Sequence, residues 1–159
     1  MTIQKANSSD LEEVLRLQVL AYQSEARMVG SASIQPLRET LDELHAQFDR
    51  GVVLKAQDDD GVIIGSVRGY EQDGTLYIGK LMVRPDRQNG GIGSKLLESI
   101  EALYSSCRYE LFTSELSEKN LTFYQRRGYR PFDERVMQGG LRFVYLEKHV
   151  HPNQEYTAG

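Results

Sequence analysis

The sequence predicts an α/β domain, and three observations carry that prediction. Strand-like runs rich in Val, Ile, Leu and Tyr are separated by the turns Asp58-Asp-Asp-Gly61 and Gln72-Asp-Gly74, and Asp-Gly between such runs is a strong hairpin signal. Apolar residues recur at helical spacing on both sides of those runs. A glycine-rich turn, Gln88-Asn-Gly-Gly-Ile-Gly93, joins the end of one strand to the start of a helix.

The elements follow in order. Thr2 to Ala6 reads as a short edge strand, and Ser9 with Glu12 forms a capping box ahead of Leu11, Val14 and Leu15, so a first helix runs to Ala21. Residues 23–33 are small and polar with Gly30 among them, which predicts a loop. Pro36 suits a first helical turn, Leu37, Leu41, Leu44 and Phe48 share one face, and Gly51 follows as a stop, giving a second helix. The runs 52–57, 62–71 and 75–83 form an antiparallel meander. A helix carries Ile92, Leu96, Ile100 and Leu103, Tyr109 to Ser114 is a strand, and Ser117 to Arg127 is a helix stopped by Gly128. Tyr129 to Met137 and Leu141 to Lys148 make a final hairpin across Gly139-Gly140, and 149–159 is a polar tail.

The bulk properties narrow the function classes. A chain of 159 residues with 40% hydrophobic content is one domain's worth of protein, predicted over 1–148, able to bury a core without metal or disulfide support. A single cysteine, Cys107, cannot form an internal disulfide, and no Cys/His set has zinc spacing, so a reducing, cytoplasmic setting without a metal is expected. The sequence shows no signal-peptide pattern and no apolar run of bilayer length, so no membrane is expected. The net charge of -4, with basic and acidic residues interspersed, gives no footprint for nucleic acid. Arg126, Arg127 and Arg130 read as a helix C-terminus favoured by the helix dipole.

The stretch Val83-Arg-Pro-Asp-Arg-Gln-Asn-Gly-Gly-Ile-Gly-Ser-Lys-Leu-Leu97 has no acidic residue after Asp86. Such a turn offers backbone N–H groups and a helix N-terminus to a phosphorylated ligand. A P-loop ends in Gly-Lys-Ser/Thr, whereas Gly93-Ser94-Lys95 has the order reversed. A dinucleotide fingerprint places a third glycine where Leu96 stands. Gln88 to Gly93 instead resembles the Arg/Gln-x-x-Gly-x-Gly/Ala signature of the GNAT superfamily of N-acetyltransferases, preceded by a Val-x-Pro step at Val83 to Pro85. A second stretch, Asn120-Leu-Thr-Phe-Tyr-Gln-Arg-Arg-Gly-Tyr129, resembles the family's asparagine, tyrosine and glycine signature, and the resemblance covers essentially the whole chain.

The resemblance implies a mixed, mostly antiparallel central sheet flanked by helices and an acetyl-coenzyme A site. Gln88, Asn89, Gly90, Gly91, Ile92, Gly93 and Ser94 would cradle the pyrophosphate, with Gly91 and Gly93 letting the backbone come close. Leu81, Met82 and Val83 would offer backbone groups to the pantetheine arm, with the N–H of Leu81 or Met82 as an oxyanion donor. Asn120 would hydrogen-bond the pantetheine chain, and Tyr124 would give a proton to the departing thiolate. Arg84 and Arg87 are candidates for the adenosine phosphate.

The general base is the departure from the pattern. Many relatives place a glutamate on the fourth strand, but the comparable positions here are Tyr77 and Gly79. Glu71, Asp73, Glu110 and Glu115 are the candidates that could act through water, and Cys107 has no nearby histidine to activate it. The sequence therefore predicts an acetyltransferase moving an acetyl group from acetyl-coenzyme A to a primary amine of a small molecule in a ternary complex, with 23–35 closing the acceptor pocket. A peptide or protein amine as acceptor, or a coenzyme A-binding module that has lost its base, are the rival readings. Pairing of the final strands between subunits would give a homodimer.

Overall fold

A computed structural model describes residues 1–150. The seven strands are β1 (Thr2–Lys5), β2 (Val52–Gln57), β3 (Ile63–Gln72), β4 (Thr75–Val83), β5 (Arg108–Ser114), β6 (Arg130–Val136) and β7 (Arg142–His149). The helices are α1 (Leu11–Ala21), α2 (Gln23–Val29), α3 (Gln35–Arg38), α4 (Leu41–Arg50), α5 (Ile92–Leu103) and α6 (Glu118–Gln125). Hydrogen bonding orders the sheet β1-β2-β3-β4-β5-β7-β6. β4 and β5 pair in parallel, while β1 with β2, β2 with β3, β5 with β7 and β6 with β7 are antiparallel, so the sheet is mixed as expected. The chain divides into two compact units, one of Met1–Tyr70 with Ile78–Leu103, the other of Glu71–Tyr77 with the chain from Tyr104 onward.

In the first unit, β1 is the sheet edge and pairs with β2 from Thr2↔Gln57 to Lys5↔Leu54. The apolar faces of α1 and α4 meet the sheet in a core of Leu11, Val14, Leu17, Leu44, Val53, Ile63 and Met82. Gly65 on β3 sets how closely α5 docks, because a Cβ there would lie 2.9 Å from Leu96 Cδ1 and 3.1 Å from Ile92 Cγ2. That contact fixes the first turn of α5 against the strands.

The second unit is built on β5 and β7, which pair from Arg108↔His149 to Ser114↔Phe143. Thr75, Leu76 and Tyr77 of β4 pair with Arg108, Tyr109 and Glu110. Asp73 and Gly74, at φ +52° and +82°, make the two-residue turn that brings the chain into β4. Leu76, Leu111, Tyr129 and Leu146 are buried here, and Phe112 stacks on Tyr145 with ring centroids 5.0 Å apart.

Four expectations are corrected. The N-terminal capping box is Asn7 with Asp10, not Ser9 with Glu12, because the chain enters α1 through a 3₁₀ turn over Ser8–Asp10. Residues 23–29 form α2 rather than a loop: Ala26 is buried, the Ala26 N–H donates to the Tyr22 carbonyl, and Gly30 ends the helix at φ +72°. The expected second helix is two helices, because Glu39 adopts extended backbone and Thr40 starts α4 through a capping box with Glu43. His149 closes β7 instead of opening the tail, and the expected tail beyond Val150 lies outside the described residues.

One polar group in the first unit was not foreseen at all. Arg68 on β3 donates to both oxygens of Glu39 at 3.0 Å, with the two side chains only 5% and 3% exposed. Gln18 on α1 accepts from Arg68 and donates to Glu39 at 2.9 Å and to the Pro36 carbonyl at 2.8 Å. Burial works against the Glu39 charge, but the Arg68 charge and the hydrogen bonds from Gln18 and Arg68, helped by Lys80, outweigh it and hold the carboxyl below its ordinary 4.5.

Because the folded value lies below the unfolded one, the stabilisation from ionised Glu39 is fully present above about pH 4.5 and is lost as pH falls through the lower, folded value. Arg68→Met strands the carboxylate, so urea unfolding at neutral pH should show a loss of about 3–5 kcal/mol. The variant should also lose this group's acid-side decline in stability. A loss below about 1 kcal/mol would show that the pair does not hold the unit together.

Candidate functional site

The glycine-rich turn connects β4 to α5 wholly within the first unit. After Val83 the chain makes a 3₁₀ turn over Pro85–Arg87, with the Arg84 N–H donating to the Ile64 carbonyl at 2.8 Å. Gln88 Nε2 donates to the Val83 carbonyl at 3.3 Å and so ties the base of the turn to the strand end. Asn89 and Gly91 both take left-handed backbone, at φ +68° and +82°, and the alternation of hand in such a turn lets successive N–H groups converge on an anion.

Gly91 needs to be glycine for its φ, and a Cβ there would meet nothing within 4 Å, so its surface opens on free space. Ile92 is buried and anchors α5, while Gly93 and Ser94 are half-buried in the first helical turn. The Lys95 N–H donates to the Gly91 carbonyl at 3.1 Å. The first N–H groups of a helix have no partner within it and carry partial positive charge, and the first turn of α5 has no acidic residue to neutralise it. These features fit a phosphorylated ligand.

The two arginines before the turn are engaged within the protein. Arg84 Nε donates to Asp86 Oδ1 at 2.7 Å, and Arg87 pairs with Asp58 Oδ2 at 3.3 Å. Asp58 is held ionised chiefly by the backbone N–H of Val62, helped by that of Asp60 and the charges of Arg87 and Arg84. A cavity of about 460 Å³ runs along this flank, lined by Asp58, Asp59 and Asp60 together with Arg87, Gly90 and Lys95.

On β4, Met82 is buried in the core of the first unit, while Leu81 and Val83 are half-buried. Gly79 faces open space, since a Cβ built on it meets nothing within 4 Å. The next residue, Lys80, has φ +52°, uncommon for a non-glycine residue in the middle of a strand and a local break in its regular path.

Tyr124 and Asn120 lie one turn apart on α6, in the second unit. Tyr124 is 8% exposed and packs edge-on against Phe123 and Tyr129, at 5.3 and 5.9 Å between centroids. Asn120 is exposed, its N–H donates to the Ser117 Oγ that caps the helix, and its Nδ2 donates to Thr113 Oγ1 at 3.2 Å. Arg127 donates to the Phe123 carbonyl at 2.9 Å and lies over the Phe123 ring, the helix-end role expected of that basic cluster.

The acids considered as bases all belong to the second unit, and three have other partners. Glu71 accepts from Ser106 Oγ, Glu110 pairs with Arg108 at 2.8 Å, and Glu115 pairs with Arg142 at 3.5 Å. Asp73 is exposed in the β3–β4 turn. In the first unit, Glu25 and Lys80 are half-buried charged residues that the sequence did not single out. Burial pushes the Glu25 carboxyl up, partly offset by the Lys80 charge, and burial with the nearby Arg68 charge pushes the Lys80 ammonium down. The only sequence signal was Arg68 itself, a charge inside the apolar run of β3.

Among the described residues no helix is long and apolar enough to cross a membrane, and no three His, Cys, Asp or Glu side chains are grouped to hold a metal ion. Similarity to solved structures supports the fold. The chain superposes on PaiA N-acetyltransferase of Thermoplasma acidophilum, crystallised with coenzyme A, with a TM-score of 0.75 at 17% identity, covering 94% of this chain and 100% of that one. It superposes on the ribosomal-protein-S18-alanine N-acetyltransferase of Escherichia coli with a TM-score of 0.76 at 14% identity, covering 94% and 93%. In sequence it is 25% identical over 155 residues to the UPF0157 protein YqkA of Bacillus subtilis, 96% of this chain but only 43% of that protein's length. The family model for the acetyltransferase (GNAT) domain matches residues 36–150, spanning both the β4–α5 turn and α6, and on that match the chain belongs to the GNAT acetyltransferase family.

Proposed function

We propose that this chain acts as a single catalytic domain that transfers an acetyl group from acetyl-coenzyme A to a primary amine of a small molecule, directly and in a ternary complex. The observation that carries this reading is the β4–α5 turn: left-handed Asn89 and Gly91, open space over Gly91, and a helix N-terminus free of acidic residues. That arrangement suits a pyrophosphate, and coenzyme A is the phosphorylated ligand in the crystal structure of the similar PaiA enzyme.

In this reading Gln88 to Ser94 hold the pyrophosphate, and the backbone of Leu81, Met82 and Val83 pairs with the pantetheine arm. The N–H of Leu81 or Met82 donates to the acyl oxygen as negative charge develops on it. Asn120 steadies the pantetheine chain, and the Tyr124 hydroxyl protonates the departing thiolate. The amine loses its proton to water or through a water chain. The small-molecule acceptor is favoured over a peptide by segment 23–38, where α2 and α3 flank a short connection and buried Ala26 and Ile34 anchor the chain. Lone, exposed Cys107 suits a reducing, cytoplasmic setting.

The direct test is thiol release from acetyl-coenzyme A in the presence of amino acids, polyamines, aminoglycosides and peptides. Amine-dependent release supports transfer, and release that no amine stimulates contradicts it. Gly93→Val puts a branched side chain into the cradle, so calorimetry should show coenzyme A binding weakened by more than about tenfold, or 1.4 kcal/mol, in a folded protein. Unchanged affinity would remove the turn from the site.

Tyr124→Phe removes only the hydroxyl, so kcat should fall by about 10² with little change in KM for acetyl-coenzyme A. Wild-type turnover would take Tyr124 out of the mechanism. Replacing Glu71, Asp73, Glu110 or Glu115 singly with Gln should each lower kcat/KM by less than about tenfold. Loss of all turnover in any one of these folded variants would identify it as a dedicated base.

A further inference from the structure

Asp58, in the turn between β2 and β3, is fixed by the backbone around it. Its Oδ1 accepts from the N–H groups of Asp60 and Val62, both at 3.0 Å, while its own N–H donates to the Val62 carbonyl at 3.0 Å. That leaves Oδ2, which accepts from Arg87 at 3.3 Å, and the Asp58 side chain is only 12% exposed against 42% for the arginine. Arg87 closes the 3₁₀ turn that leads into the glycine-rich segment, and its N–H donates to the Arg84 carbonyl at 2.8 Å. A rigidly held acid therefore takes the last cation before the cradle.

The rest of this flank is occupied in the same way. Arg84 donates to both oxygens of Asp86, at 2.7 and 3.3 Å, the Met1 amino group pairs with Asp59 at 3.4 Å, and Asp60 shares the cavity lining with Lys95. A phosphate dianion brought here must displace a carboxylate from an arginine before it gains that partner, and it meets the charges of Asp58, Asp59 and Asp60 as it does so. The backbone N–H groups of the cradle face no such competition, since the first turn of α5 carries no acidic residue. Resting on the acetyl-coenzyme A reading above, we propose that Asp58 sets donor specificity by withholding Arg87, so that the site recognises the pyrophosphate through its backbone and does not recognise the 3′-phosphate of the adenosine.

Dephospho-coenzyme A keeps the pantetheine arm and the pyrophosphate but ends in an unphosphorylated ribose, so it binds this site as well as coenzyme A does. Asp58→Asn isolates the role of the charge. The amide oxygen still accepts the two backbone N–H bonds, whereas the amide nitrogen gives Arg87 nothing to donate to. Arg87 is then released to the 3′-phosphate, and a charge-assisted contact of that kind is strong enough to separate the two ligands by about tenfold.

The test is calorimetric titration of the protein with coenzyme A and, separately, with dephospho-coenzyme A. The wild-type Kd values should agree within about threefold. Asp58→Asn should make coenzyme A the tighter ligand by about tenfold, and adding Arg87→Met to that variant should bring the ratio back within about threefold. Asp58→Ser, which keeps an oxygen for the turn, serves as a second neutral variant, with circular dichroism confirming the fold of each. A purely structural role for Asp58 would weaken both ligands alike and leave their ratio near one. That outcome, or a wild-type preference for coenzyme A beyond about threefold, would overturn this inference while leaving the cofactor site standing. Failure of both ligands to bind would instead overturn the acetyl-coenzyme A reading, and this inference with it.

Discussion

The first unit is organised around the bidentate contact between Arg68 and Glu39. A guanidinium cannot shed its proton, so placing one in the buried run of β3 requires a carboxylate to be brought to it. Glu39 meets that requirement only if the chain leaves helical geometry between α3 and α4, which is where its backbone becomes extended. Gln18 then has both of its amide atoms engaged and ties α1 to the same point. Three helical segments are thereby registered on one strand by polar contacts, while apolar packing against Leu11, Val14 and Leu44 supplies the bulk of the burial.

The β4–α5 turn depends on a different constraint, the absence of a side chain at Gly65. With no Cβ there, Ile92 and Leu96 reach the sheet, and the first turn of α5 is pinned by that packing. The first turn of α5 also carries no acidic residue to compete with a ligand for the positive end of the helix. The turn therefore combines a rigid base, through Ile92 and the Gln88–Val83 hydrogen bond, with an exposed left-handed apex at Asn89 to Gly91.

Much of this was legible in the sequence because the signals were local. The Asp-Gly turns set the strand meander, Gly128 marked the end of α6, and the order Gly93-Ser94-Lys95 separated this turn from a P-loop. What was not legible depended on distant partners. The split between α3 and α4 reflects a choice between one face of leucines at helical spacing, which favours continuity, and the Thr40–Glu43 capping box with Glu39 drawn to Arg68, which favours a break. The α2 segment lacks a wide apolar stripe, and its helicity comes from burying Ala26 and from the left-handed stop at Gly30. Lys80 and Glu25 were invisible because an ordinary-looking lysine in a strand and a glutamate in a polar stretch give no sign that folding will desolvate both.

In the proposed function the β4–α5 turn grips the phosphates of acetyl-coenzyme A while the β4 backbone receives the acyl end. Amide chemical shifts of isotopically labelled protein, followed during titration with acetyl-coenzyme A, test it most directly. The backbone N–H signals of Gly90, Gly91, Ile92, Gly93 and Ser94 should move most, together with those of Leu81 to Val83. Saturable binding that leaves those amides unmoved, with its largest shifts elsewhere in the chain, would contradict it.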